Sequence, residues 1–140
     1  MREGFGVMGL SFSAVSVYRV VFKCLNRDFS FTCRVMASWA PLTVRSLIEN
    51  VPFQTSTVIR DPLVFFPVRF RFPREKRFLT NVEAGDLVVA PFIPGLGLTL
   101  KDAKLRYNVV RIGKLEEPHV GKPLKFEPND IFEISAVEVK

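Results

Sequence analysis

The densest chemistry in this chain is a run of cations set among aromatic rings. Arg69, Arg71, Arg74, Lys76 and Arg77 interleave with Phe70, Phe72 and Phe78, and only Glu75 offsets them. Guanidinium and ammonium groups beside rings can hold a single-stranded nucleic acid, with phosphates on the cations and bases stacked on the phenyl faces. Strand alternation works against that reading, because it places Phe70 and Phe72 on the face opposite Arg69 and Arg71. The rings then belong to a core and the cations to water. A charged strand edge that discourages unwanted pairing is the stronger expectation, and nucleic acid is kept as a lesser alternative.

Groups that could drive a reaction are sparse. His119 is the single histidine, which excludes multi-histidine metal sites and leaves one general base in the loop Pro118 to Lys122. An idle, exposed imidazole is expected there. No serine sits in a nucleophile elbow, and Gly95-Leu96-Gly97-Leu98 lacks the third glycine and the following helix of a phosphate-cradling loop. No cofactor and no metal are therefore expected. Cys24 and Cys33 lie on the two arms of one predicted hairpin, too few for a disulfide framework and wrongly spaced for zinc. Buried free thiols in a reduced, intracellular chain are expected, with a cross-strand disulfide as the other possibility.

An apolar loop offers a binding surface instead. Pro91-Phe92-Ile93-Pro94-Gly95-Leu96 lies between strands, more exposed than its composition favours, and such patches mark interfaces or pocket rims. With Trp39 and Phe53, which flank the helix described next, Phe92 and Ile93 are expected to line a groove for a peptide, a small apolar ligand or a protein partner, or to be buried in a homodimer.

The elements that must position these residues are mostly strands. Tyr18, Val20, Phe22 and Cys24 alternate with Arg19, Val21 and Lys23, and Phe29, Phe31, Cys33 and Val35 alternate with Ser30, Thr32 and Arg34, around the turn Asn26-Arg27-Asp28. Any short turn here pairs even positions with odd ones, which puts both cysteines on the phenylalanine-rich face. Pro41 to Val51 reads as a helix, with Val44, Leu47, Ile48 and Val51 on one face, Pro41 in its first turn and Pro52 as its stop. Strands are predicted over Ser56 to Ile59, Leu63 to Phe72, Asp86 to Ala90, Gly95 to Leu100, Asn108 to Leu115 and Ile131 to Val139. Pro67 belongs at an edge or bulge, and the switch of apolar face between Ile134 and Val137 predicts a bulge near Ser135. Glu116 to Asp130 reads as a polar loop.

The 140 residues suit one domain, and 48% hydrophobic residues, with 14 Phe, against 24% charged exclude intrinsic disorder. That is more apolar surface than a small barrel interior holds, so some phenylalanines are expected at a second interface. The net charge of +6 favours anionic partners. Met1 to Val17 resembles a secretory signal only faintly. Glu3 and the glycines argue against one, and the stretch is too short and broken to span a bilayer. It reads as a loose extension, an over-extended start with translation from Met8, or an added edge strand. A cytoplasmic protein with no membrane association is expected.

The order hairpin, Ala40-Pro41-Leu42-Thr43-Val44, apolar helix and Val51-Pro52-Phe53 resembles the opening of cyclophilins. Leu63-Val64-Phe65-Phe66-Pro67-Val68, Glu83-Ala84-Gly85-Asp86-Leu87-Val88-Val89 and Asn108-Val109-Val110-Arg111-Ile112-Gly113 resemble the later strands of small prokaryotic cyclophilin-like proteins of unassigned function. The likeness runs over residues 18–140 and leaves 1–17 as a poorly defined extension. It implies a mainly β fold, a closed eight-stranded cyclophilin-like β-barrel with one main α-helix capping a mouth. It also raises peptidyl-prolyl isomerase activity. Arg60 falls roughly where the catalytic arginine would, yet the preceding Phe-His, the Gln-Gly-Gly-Asp run and the pocket Phe and His are missing, so no catalytic residue is carried over. The expected function is a non-catalytic binding module that uses Trp39, Phe53, Arg60, Phe92 and Ile93. A divergent prolyl isomerase and a single-stranded RNA-binding barrel are the alternatives.

Overall fold

The computed structural model describes residues 11–90, 94–116 and 124–139. The chain is mainly β, with one α-helix and a single turn of 3-10 helix before it. Strands β1 (Val17–Cys24) and β2 (Phe29–Met36) form the expected hairpin, paired from Cys24 with Phe29 to Val17 with Met36, so even positions do face odd ones. Helix α1 (Pro41–Asn50) follows and buries Val44, Leu47 and Ile48 in the main core. Then come β3 (Phe53–Ser56), β4 (Val58–Arg60), β5 (Leu63–Pro67), β6 (Leu79–Val82), β7 (Asp86–Val89), β8 (Gly95–Thr99), β9 (Ala103–Leu115) and β10 (Ile131–Val139).

These strands make one antiparallel, ten-stranded sheet in the order β3-β10-β1-β2-β9-β7-β8-β5-β4, with β6 paired to β9 off that path. The expected closed eight-stranded barrel does not form. The sheet curls until its two ends, β3 and β4, are joined by the single residue Thr57, but among the described residues no strand ladder crosses between them. The reason lies in Pro67. The Val68 N–H is bonded to the Pro94 carbonyl on the β8 side, so alternation turns the backbone of Pro67 toward β3. Proline has no N–H to give, and only its carbonyl is used, accepting from Thr55 Oγ1 at 2.5 Å.

Two cores flank this sheet. The inner one stacks Phe22 on Phe31, with ring centroids 4.6 Å apart, against Phe66 and Phe132. Leu124 and Phe126 also pack into it, so the segment before β10 is not the wholly polar loop its composition implied. The outer core joins Leu63, Phe65, Val82, Val88, Ala90, Leu105 and Val109. It accounts for the apolar residues in excess of a barrel interior: β6 and the first half of β9 fold back over the sheet and bury one face of β5 and β7. β9 begins at Ala103, five residues before the predicted Asn108. The Ser135 bulge is absent. β10 pairs with β1 in unbroken register, and Val137, half exposed, faces outward.

Both cysteines are buried and free, and the register sets Cys24 opposite Phe29 and Cys33 opposite Val20, out of disulfide reach of each other. Ser11 to Ser16 folds against β1. The Ser13 N–H donates to the Tyr18 hydroxyl at 2.8 Å, that hydroxyl donates to the Ser11 carbonyl, and Phe12 stacks on the Tyr18 ring. Among the described residues no helix is long and apolar enough to cross a membrane.

Candidate functional site

The unclosed seam is the most distinctive surface of the molecule. Along β3 the ladder alternates, and Phe53 and Thr55 spend their backbone groups on Ile134 and Phe132 of β10. The N–H and C=O groups of Gln54 and Ser56 therefore point away from β10, into the gap. A groove of about 560 Å³ occupies that gap, lined by Asn50, Phe53, Gln54, Thr55, Ser56, Pro67, Val68, Arg69, Phe70 and Ile131. Phe53 meets Phe70 edge to face at 5.5 Å, giving one apolar wall. Arg69 is the one charged residue of the lining, exposed and without an acidic partner among the described residues.

Beyond Pro67 the chain leaves the sheet, so the predicted strand Leu63 to Phe72 ends five residues early and 68–78 becomes an irregular strap packed on the core. Phe70 and Phe72 are half-buried and packed on the core, and Arg69, Arg71, Arg74, Lys76 and Arg77 are exposed. Rings and cations thus face opposite ways, as alternation required, although on an irregular strap rather than a strand. The strap is tied down at two points. The N-cap of helix α1 is Ala40, which has no side chain able to cap it, and Glu75 supplies the missing acceptor by taking the Thr43 N–H at 2.9 Å. Arg77 donates to the Ser38 carbonyl at 3.0 Å.

The residues expected to share one groove are separated. Phe53 lies in the seam, and Trp39 lines a small cavity of about 230 Å³ with Arg77, Phe78, Leu79 and Arg111, the Arg111 guanidinium sitting 5.0 Å over the indole. Arg60 is in neither. It ends β4, opposite Leu63, with an exposed side chain. Phe92, Ile93 and His119 lie outside the described residues. What the sequence reading missed is Gln54 and Ser56, and that Arg69, read only as part of the basic cluster, stands beside them. The one available signal was Pro67, already read as an edge residue.

The charged groups elsewhere hold the fold. Asp130, almost fully buried, accepts from Arg27 Nε at 3.1 Å, from Arg27 Nη2, from Asn26 Nδ2 and from the Glu127 N–H. The Arg27 hydrogen bonds hold its carboxyl below the usual carboxylate range. Arg19 Nε, 2.8 Å from Glu116, lowers that carboxyl in the same way. Burial pushes the Cys33 thiol up, which disqualifies it as a nucleophile. Among the described residues no three metal-ligating side chains come together. The arrangement is suited to holding a ligand by hydrogen bonds, apolar contact and one positive charge.

No protein-family model and no curated protein match the sequence. Among solved structures, the chain is similar in fold to the solution structure of a hypothetical protein from Archaeoglobus fulgidus, at a TM-score of 0.67 and 17% identity, with 94% of this chain and 98% of that one covered.

Proposed function

We propose that this protein is a non-catalytic binding module that takes an extended, acidic peptide segment into the seam as an added strand beside β3. The observation that carries this is the free edge at Gln54 and Ser56, facing a groove whose only charge is Arg69. Strand addition draws affinity from main-chain hydrogen bonds and specificity from alternate side-chain pockets, and the groove supplies both an unpaired edge and the Phe53–Phe70 wall. The charge favours a segment bearing Asp or Glu. Cyclophilin-like kinship is part of the same proposal and rests on the order of sequence pieces from Ala40-Pro41 onward; an unclosed sheet would make this a divergent member.

The test is an amide NMR titration of the full chain with a pool of capped hexapeptides, each carrying one Glu or Asp. Gln54 and Ser56 amide signals should move downfield and gain exchange protection, and Ser56→Pro, which deletes one edge donor, should abolish both effects at Gln54. Shifts confined to other regions, or identical in Ser56→Pro, would overturn the reading. A concentration-dependent dimer that dissociates in Ser56→Pro would assign the edge to a second copy instead. The isomerase alternative predicts proline isomerisation that falls in Arg60→Ala. It has little support, since Arg60 lines neither the seam nor the Trp39 cavity.

A further inference from the structure

A second cavity, of about 600 Å³, lies between the strap, the first turn of α1 and strands β7 and β9, and shares no lining residue with the seam groove. Its walls are apolar and partly aromatic: Phe72, Phe78, Val89 and Val110. Glu75 lines it as well, only 9% exposed. One oxygen of that carboxylate takes the Thr43 N–H, and the other has no protein partner among the described residues. A carboxylate only accepts hydrogen bonds, so a ligand group that meets this oxygen in the cavity must be a donor.

Arg74 and Lys76 flank Glu75 in sequence, line the same cavity and stay exposed, with no ion-pair partner among the described residues. The cavity is therefore polarised, with an acceptor inside and cations outside. A matching ligand presents N–H donors on a flat ring and also carries an anion.

We propose that this cavity binds a mononucleotide, with its base against Phe72 and Phe78, ring N–H groups donated to Glu75, and its phosphate on Arg74 and Lys76. Guanine, which carries two adjacent N–H donor groups on its pairing edge, fits the Glu75 carboxylate better than uracil or adenine. The phosphate sits on side-chain cations, so no glycine-rich loop is needed, and affinity falls with salt. The site is independent of the peptide groove.

The experiment is calorimetry and amide NMR on the full chain with GMP, AMP, UMP and inorganic phosphate. GMP should move the signals of residues 72–78 and Asn108, and should bind at least about tenfold more tightly than UMP, the step one well-placed hydrogen bond to a charged acceptor supplies. Phe78→Ala, at an exposed ring, should weaken GMP roughly tenfold through lost stacking. Arg74→Ala with Lys76→Ala should weaken it by about tenfold or more and flatten the salt dependence. Glu75→Gln should erase the preference for GMP, and a thermal melt reports separately on the helix cap. A trinucleotide ending in G that moves the same signals supports the site and identifies strand ends as its source. Equal shifts with phosphate alone, no shifts at millimolar nucleotide, or unchanged affinity in both surface variants would overturn the proposal.

Discussion

The two flanks of the curled sheet are held by different physics. On the β2-β1-β10 flank every strand is paired on both sides, stacked rings fill the interior, and Asp130 ties the β1–β2 turn to the start of β10 through hydrogen bonds from Arg27 and Asn26. At the seam, β3 is paired on one side only, and among the described residues a single side-chain hydrogen bond, from Thr55, reaches across. A fully buried ring contributes about 1.5–3 kcal/mol and a neutral hydrogen bond about 1 kcal/mol. The seam is thus where the sheet should open first, at a cost confined to backbone and to the marginal packing of Phe53 and Phe70 on the inner core. The proposed strand uptake would use this asymmetry, rigid on one flank and unfinished on the other.

The largest effect should come from the rigid flank at Gly113, where β9 meets both β2 and β7. A Cβ there would lie 2.2 Å from the Arg34 carbonyl oxygen and 2.9 Å from the Val35 Cα, both backbone atoms that cannot yield. Gly113→Val should cost more than about 4 kcal/mol and leave little folded protein, by circular dichroism and soluble yield. Gly97 offers the contrast. Its virtual Cβ meets only side-chain atoms, the nearest at 3.3 Å, so Gly97→Ala should fold. If both variants behaved alike, the close approach of β9 to β2 would be wrong.

Asp130→Ala comes next, at about 2–4 kcal/mol by urea denaturation, because it strips the acceptor from the buried end of a charged network. The effect should depend on pH. Asp130 and Glu116 are both held below the usual carboxylate range when folded, by Arg27 and Arg19 respectively. Their contribution is complete above the ordinary carboxylate pKa of about 4, shrinks as the pH falls and the unfolded chain protonates first, and is gone below the folded values. The stability gap between wild type and Asp130→Ala should therefore be full at neutral pH and narrow in acid. A gap that widened in acid would contradict the network.

What was legible in the sequence follows the same division. The hairpin, the helix and the edge role of Pro67 are local patterns, readable from alternation, from the spacing of Val44, Leu47 and Ile48, and from a missing N–H. β3 was not, since Phe53-Gln54-Thr55-Ser56 has little apolar periodicity and is a strand only because β10 pairs with it. Likewise β6 and the first half of β9 bury Val82 and Leu105 against an outer core assembled from distant strands. The strand expected through Phe72 failed for another reason. Alternation of Phe and Arg describes any segment with one face on a core, and a strap satisfies it as well as a strand. The groove and the nucleotide-sized cavity both border that strap, so neither could be read before its path was known.

Smaller effects belong to the seam. Thr55→Val keeps the shape and the β-branch but removes the hydroxyl that reaches the Pro67 carbonyl. The expected cost is about 0.5–1.5 kcal/mol, together with faster amide exchange along β3 and none in β1. Faster exchange in β1 as well would mean that the two flanks unfold as one unit, and the contrast between them would lose its energetic basis.

The smallest effect on stability, and the most telling for function, is Ser56→Pro. Alternation points the Ser56 N–H into the gap rather than toward β10, so deleting it breaks no ladder bond, and proline is tolerated on a strand edge whose N–H side faces solvent. Thr55 before it is already extended, the conformation a following proline demands. The melting temperature should stay within a few degrees of wild type, since the change in stability is about 0.5 kcal/mol or less. Acidic hexapeptide binding at the seam should nevertheless disappear. Binding that survived would place the ligand elsewhere. A large loss of stability would show that the Ser56 N–H is already bonded within the sheet, and that the gap beside β3 is not an edge.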